Sequence, residues 1–328
     1  MVEMAAHPYP EERDASGQAW VFPGQGSQQV GMGLDLYETF PLARRVFEEA
    51  DEVLGLPLSR LCFEGPEDSL RQTVNAQPAI MTVSLACLQT ALETGSLQER
   101  SAAFMAGHSL GEYTALVAAG ALSFGDGLRL VRERGRLMQE AGERVPGSMA
   151  AIIGLPEDKV TELCYNTRAE VCNLNSPGQV VIGGTCEAVE QAIAEAKARG
   201  ARQAIRLNVS GAFHSSLMRP AAEGMIGVIA RTPFADAQVP IVANSSAQPI
   251  TSSEDIKREL SEQLRRPVLW QRSVEYMIEN GVTTFVEIGP GRVLTALIHR
   301  IDGNATTKNI GDASSICGEV RSGDRSDR

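Results

Sequence analysis

A chain of 328 residues, 43% hydrophobic and 22% charged, has room for one large core or two unequal ones, so a packed globular enzyme is expected. The formal charge of −11, with no basic run interleaved with aromatics, excludes a nucleic-acid binder, and no apolar run approaches the roughly 20 residues needed to cross a bilayer. The six cysteines are scattered, without a C-x-x-C pair or a histidine at zinc-ligand spacing, so neither a disulfide framework nor a metal site is indicated.

In chain order, the first residues carry Glu3, Glu11, Glu12 and Asp14 without an apolar h-region, which predicts a loose tail on a cytoplasmic protein. Short apolar strands then alternate with amphipathic helices, with strands expected at Ala19 to Phe22, Ala102 to Ala106, Val239 to Ala243 and Thr284 to Ile288. Between them, Gly147 to Gly154, Pro156 to Thr167, Glu170 to Asn173, Gln179 to Gly183, Glu187 to Arg199 and Arg202 to Asn208 read β-α-β-β-α-β, the split ferredoxin-like order. The fold class is therefore α/β: a large, discontinuous α/β-hydrolase-like domain with a mainly parallel sheet (18–144 and 209–301), interrupted by a small ferredoxin-like domain (145–208). Such an insertion makes a cleft at the junction. Segments 1–17 and 302–328 are expected to be flexible tails, the latter because it is rich in Gly, Ser, Asp and Arg with little to bury.

Gly107-His108-Ser109-Leu110-Gly111 lies between the apolar Ala103-Phe104-Met105 and the helix-forming Glu112 to Ala119. This is the strand-turn-helix setting of a nucleophile elbow, in which small residues flank a strained serine at a helix start. A serine needs a base, and only four histidines are available. His7 lies in the polar tail, His108 adjoins Ser109 at a tight turn, and His299 ends the helix Val293 to Ile301, where it serves the helix dipole. His214 remains, in Ser210-Gly211-Ala212-Phe213-His214-Ser215-Ser216, directly after the inserted domain and placed to face the cleft.

Gly24-Gln25-Gly26-Ser27-Gln28 follows the apolar Val21-Phe22, but Gln29 stands where a dinucleotide-binding fingerprint needs its third glycine. The segment reads either as a tight loop offering backbone N–H groups to an oxyanion or as a plain turn. In the helix Gly127 to Ala141, Arg129, Arg132 and Arg136 share one face, whereas Arg134 points into the stripe formed by Leu130, Val131, Leu137 and Met138. A buried guanidinium needs an anionic partner; an internal carboxylate and a substrate carboxylate both satisfy that need.

These residues sit in motifs that resemble the malonyl-CoA:acyl carrier protein transacylase family. They are Val21-Phe22-Pro23-Gly24-Gln25-Gly26-Ser27-Gln28, Gly107 to Tyr113, Asn173-Leu174-Asn175-Ser176-Pro177-Gly178-Gln179, Ala212 to Met218 and Glu287-Ile288-Gly289-Pro290-Gly291, in order from about Trp20 to Ile301. The resemblance implies that Ser109 is acylated with His214 as its base, that the backbone N–H groups of Gln25 and Leu110 form the oxyanion hole, and that Arg134 holds the malonyl carboxylate. It also implies that the main-chain carbonyl of Gln263 orients His214, so no catalytic Asp is sought, and that Leu110 and Phe213 accompany malonyl rather than methylmalonyl use. Asn173 and Asn175 match family positions near the active site without an assigned job.

The expected reaction is a ping-pong transfer of malonyl from coenzyme A to the phosphopantetheine thiol of acyl carrier protein, with no cofactor beyond these substrates, by a cytoplasmic monomer in fatty acid or polyketide synthesis. Docking of an acidic carrier on an acidic enzyme needs a local basic patch, with Arg219, Arg265 and Arg266 as candidates. A serine thioesterase or hydrolase and a non-catalytic scaffold are the competing readings. The sequons at Asn208, Asn244 and Asn304 carry no meaning in a cytoplasmic protein.

Overall fold

The computed structural model describes residues 17–98 and 102–323. A six-stranded sheet has the order β10-β9-β1-β2-β7-β8, built from β1 (Gln18–Phe22), β2 (Ala102–Gly107), β7 (Ile241–Val242), β8 (Pro249–Ile250), β9 (Thr284–Ile288) and β10 (Thr306–Ile310). All its pairings are parallel except the short β7–β8 hairpin. Both faces are covered. Trp20, Phe22, Met105, Val286 and Ile288 pack on one side with helix Thr73–Glu93, while Ala19, Val21, Ala106 and Phe285 pack on the other with helices Trp270–Glu279 and Val293–Ile301. Burial of both faces is why these strands read as continuous apolar runs rather than as alternation.

The second sheet is antiparallel, order β4-β5-β3-β6, from β3 (Gly147–Ile153), β4 (Glu170–Ser176), β5 (Gln179–Thr185) and β6 (Gln203–Arg206). Helices Glu157–Thr167 and Cys186–Ala198 complete the β-α-β-β-α-β order. The period of two sorts its side chains. Ala150, Ile152, Val180 and Ile182 face those two helices, whereas Met149, Ala151, Cys172 and Val181 face the main core.

Two expectations fail. Val239 to Ala243 shortens to Ile241–Val242, which meets β2 only at Met105 before the chain turns away. The segment after Ile301, expected to be loose, instead supplies edge strand β10, parallel to β9, and the helix Ala313–Gly323, with Ile310 and Ile316 buried. An edge strand needs few apolar residues because one side of it and part of each face meet solvent, so its composition hides it. Of the tail expected at residues 1–17, residues 1–16, with His7, lie outside the described residues, and Gly17 is tied down, accepting hydrogen bonds from the Thr283 and Thr284 amides. No helix among the described residues is long and apolar enough to cross a membrane.

Candidate active site

β2 delivers the chain to Gly107, and a new helix, Leu110–Ala118, starts three residues later with Ser109 as its N-cap. Ser109 has φ 54° and ψ −102°, a strained backbone for a residue with a side chain. The turn closes so tightly that a Cβ on Gly107 would stand 1.9 Å from the carbonyl carbon of Gly111, and one on Gly111 would stand 2.0 Å from the Phe22 oxygen. Both glycines of the motif are therefore steric requirements.

The elbow points Ser109 Oγ at His214 Nε2, 2.7 Å away. His214 lies in the segment after β6, itself at a positive φ of 60°. Its Nδ1 is 2.9 Å from the carbonyl oxygen of Gln263 and 3.2 Å from that of Arg266. Carbonyls only accept, so Nδ1 carries the proton and Nε2 is left bare to take the one from Ser109. Burial, then the Arg134 cation, pushes the His214 pKa down to about 3, which keeps the imidazole neutral at physiological pH.

Arg134 is 1% exposed, on the inner face of helix Phe124–Arg144. It donates to Gln77 Oε1 at 2.8 Å, Gln263 Oε1 at 2.9 Å and Ser109 Oγ at 3.0 Å, and its guanidinium lies 5.1 Å from the centre of the Tyr113 ring. Every acceptor is neutral, and no carboxylate forms an ion pair with it among the described residues. The internal salt bridge left open by the helix pattern is thus not made. Glu112, the nearest acid in the network, is reached through Gln263, whose Nε2 donates to Glu112 Oε2 and to the Ser109 carbonyl. Burial, with Glu259 adding repulsion, pushes the Glu112 carboxyl well above the usual range, against hydrogen bonds from Gln263 and Asn244.

These groups open onto a cavity of about 520 Å³ between the two sheets. Gln25, Ser109, Leu110, Arg134, Phe213 and His214 line it, joined from the other side by Met149, Asn173, Asn175 and Val181. The Gln25 and Leu110 amides, one in the loop after β1 and the other at the first helical position, have no acceptor among the described residues and remain available to a ligand oxygen. Gln25 Nε2 donates to Thr73 Oγ1, which meets Ser210 Oγ at 3.1 Å. Asn175 Oδ1 accepts from His108 Nε2 at 2.9 Å, so His108 supports the wall and does not compete for Ser109. His299 is tied to Thr307 on the far side of its helix end.

Sequence reasoning missed Asn244 and Gln77. Asn244 follows β7 at the C-terminal end of a parallel sheet, where ligand sites gather, but nothing local names its partners, and Gln77 is one of several buried polar residues of helix Thr73–Glu93 with no signal to single it out. Of the three docking candidates, Arg265 and Arg266 share the Glu262 carboxylate and Arg219 is exposed without an ion pair among the described residues. None of the three lines the cavity.

A strained serine on a strand-to-helix elbow, paired with a neutral histidine over an α/β sheet, defines the acyl-transfer class. Residues 19–321 match the family model described as an acyl transferase domain. The chain is 48% identical over 305 residues to the malonyl CoA-acyl carrier protein transacylase of Bacillus subtilis strain 168, covering 91% of this chain and 94% of that protein. It is 43% identical to the Escherichia coli K12 protein of the same name, covering 91% and 97%. Among solved structures, an acyl-carrier-protein-S-malonyltransferase from Bartonella henselae superposes with a TM-score of 0.89 at 44% identity, covering 93% and 99% of the two chains. A malonyl-transacylase in complex with a type II PKS acyl-carrier protein gives 0.88 at 42% identity, with the same coverage. The chain belongs to the malonyl CoA-acyl carrier protein transacylases of the acyl transferase family.

Proposed function

We propose that this chain moves malonyl groups from malonyl-CoA to the phosphopantetheine thiol of acyl carrier protein through a malonyl-Ser109 intermediate. His214 Nε2 takes the Ser109 proton as Oγ attacks the thioester carbonyl. The Gln25 and Leu110 amides receive the oxyanion, and coenzyme A leaves as the thiol once His214 returns the proton to sulfur. The carrier thiol then gives its proton to His214, attacks the acyl-serine and regenerates the free hydroxyl. Arg134 pairs with the free malonyl carboxylate. Leu110 and Phe213 pack beside the acyl group, and the Gln263 carbonyl holds the imidazole in its tautomer. The thioester donor and the thiol acceptor suffice, without a cofactor. All these groups come from one chain, so a monomer is competent. Four buried free thiols, Cys62, Cys87, Cys164 and Cys172, suit a reducing cytoplasm.

The observation that carries this reading is Arg134. A fully buried guanidinium, surrounded by neutral acceptors and facing the nucleophile, is a cation awaiting a carboxylate, which a malonyl group has and an acetyl group lacks. The relatives' names specify the same donor and acceptor, and one neighbour is solved with its carrier bound. Intact-mass detection of a malonyl adduct, followed by its loss on adding holo-acyl carrier protein, is the test. Rapid coenzyme A release without the carrier would instead mark a thioesterase, and no adduct at all a scaffold.

A further inference from the structure

We propose that Asn244 is a positioning residue for the nucleophile, its carboxamide holding the strained elbow in the one backbone conformation that aims Ser109 Oγ at His214. The proposal rests on the reading above only in taking Ser109 as the nucleophile.

At the elbow the sheet leaves hydrogen bonds that its own strands cannot make. On the β1 side, the ladder continues past β2 through the His108 amide, which donates to the Phe22 carbonyl at 3.1 Å. On the other side, β7 has ended at Val242, leaving the Gly107 carbonyl and the Ser109 amide without a backbone neighbour. Buried peptide groups rarely stay unpaired, and a chain with that freedom relaxes out of a strained conformation. Asn244 supplies both partners. Its Oδ1 accepts from the Ser109 amide at 2.7 Å and its Nδ2 donates to the Gly107 carbonyl at 2.7 Å. In a parallel ladder, one residue bonds the carbonyl before and the amide after the residue opposite. The carboxamide therefore takes the place of a strand residue opposite His108, continuing β7 after its backbone has turned away.

Asn244 is itself fixed. It is 1% exposed, its own amide donates to Glu112 Oε1 at 3.0 Å, and its carbonyl accepts from the Leu269 amide at 2.8 Å. Glu112 belongs to the helix that Ser109 caps and also accepts from Gln263, whose carbonyl holds His214. Nucleophile and base thus share one hydrogen-bonded frame, and Asn244 joins the two halves. It does not line the cavity, so it acts through Ser109 rather than on the substrate.

The test compares wild type with Asn244→Ala and Asn244→Asp by stopped-flow acylation with malonyl-CoA, and by labelling of Ser109 with phenylmethanesulfonyl fluoride, a serine-directed reagent that needs no malonyl recognition. For Asn244→Ala, the acylation rate constant should fall by about 10²-fold, the scale of a 1 Å misplacement of a reacting group, with KM for malonyl-CoA essentially unchanged. Active-site titre should stay near one per chain well below the melting midpoint. Asn244→Asp keeps the shape but sets a second oxygen against the Gly107 carbonyl until it is protonated, when an O–H replaces the lost donor. Its labelling rate should therefore rise as pH falls from 8 to 6, the reverse of a base-limited profile. A wild-type rate constant in Asn244→Ala, or a loss of titre with the rate constant of the remaining sites intact, overturns the proposal. So does a flat or falling profile in Asn244→Asp, which decides the matter even where the alanine variant fails to fold. Labelling of wild-type Ser109 without a malonyl adduct would reject the malonyl reading while leaving these comparisons valid. No labelling of Ser109 in wild type would reject both.

Discussion

The two sheets face one cavity and contribute to it unequally. From the six-stranded side come the elbow at the end of β2, the loop after β1 and the Arg134 helix, and behind them stands a buried network in which Gln77, Glu112, Asn244 and Gln263 bond one another or the reacting groups. The four-stranded side brings Met149, Val181, Asn173 and Asn175, which fill space and close the wall. The contrast separates charge-handling atoms, which need fixed dipoles prepared in advance, from wall atoms, which need only shape. Substitutions on the first side should therefore change rate constants by orders of magnitude, and substitutions on the second by far less.

The largest effect is expected at Ser109. Ser109→Ala should abolish the malonyl adduct in intact mass while leaving the thermal midpoint close to wild type, since one oxygen is removed at a cavity wall. A persisting adduct would move the nucleophile elsewhere.

His214→Ala should slow acylation by roughly 10²–10⁴-fold, the usual cost of losing a general base. The depressed pKa adds a pH signature. His214 titrates near 3 in the folded chain and near 6.5 when unfolded, so the folded state prefers the neutral ring. That contribution to stability is complete above about pH 6.5 and is lost progressively as pH falls towards 3. Wild-type acylation should accordingly hold level to well below pH 6, and His214→Ala should lose less thermal stability on acidification than wild type does. An acid limb at an ordinary imidazole pKa in the free enzyme would contradict the buried, Arg134-facing environment.

What the sequence disclosed follows the same divide between local and distant partners. The elbow was legible because strand, glycines, serine and helix are contiguous, and Arg134 because helical periodicity alone placed it among Leu130, Val131 and Met138. Asn244 and Gln77 were not, because their partners lie 137 and 57 residues away and no periodicity links them. Strand β10 was hidden for another reason: Thr306 to Asn309 carry no large apolar side chain, and only pairing with β9 makes them a strand.

Arg134→Ala sharpens the comparison by testing a single charge. The guanidinium, itself buried, can meet a carboxylate through two parallel hydrogen bonds, so its loss should cost about 2–5 kcal/mol in malonyl kcat/KM, the range for removing one partner of a buried charge pair. Acetyl transfer should be unchanged or improved. The same substitution removes a cation that pushes His214 down, so the acid limb of any residual activity should move to higher pH. Arg132→Ala is the control, because Arg132 is half-buried on another face of the helix and only reaches Asn75 at 3.4 Å. Equal losses of malonyl and acetyl transfer would make Arg134 structural.

The smallest effect is expected from the four-stranded side. Asn175→Ala removes the acceptor that His108 Nε2 meets at 2.9 Å, leaving a buried ring N–H without its protein partner. In a sealed core that would cost about 1–3 kcal/mol, but both residues line the cavity, where water can enter and take the bond. The thermal midpoint should therefore fall only slightly. The acylation rate should drop less than about tenfold, well short of the 10²-fold scale of a misplaced reacting group. Selectivity for malonyl over acetyl should not move, since Arg134 has no bond to either residue. Stopped-flow acylation with the two acyl-CoAs measures both quantities. A loss as large as that of Arg134→Ala, or a changed malonyl-to-acetyl ratio, would put the His108–Asn175 pair among the charge-handling groups and end the division of labour between the two sheets.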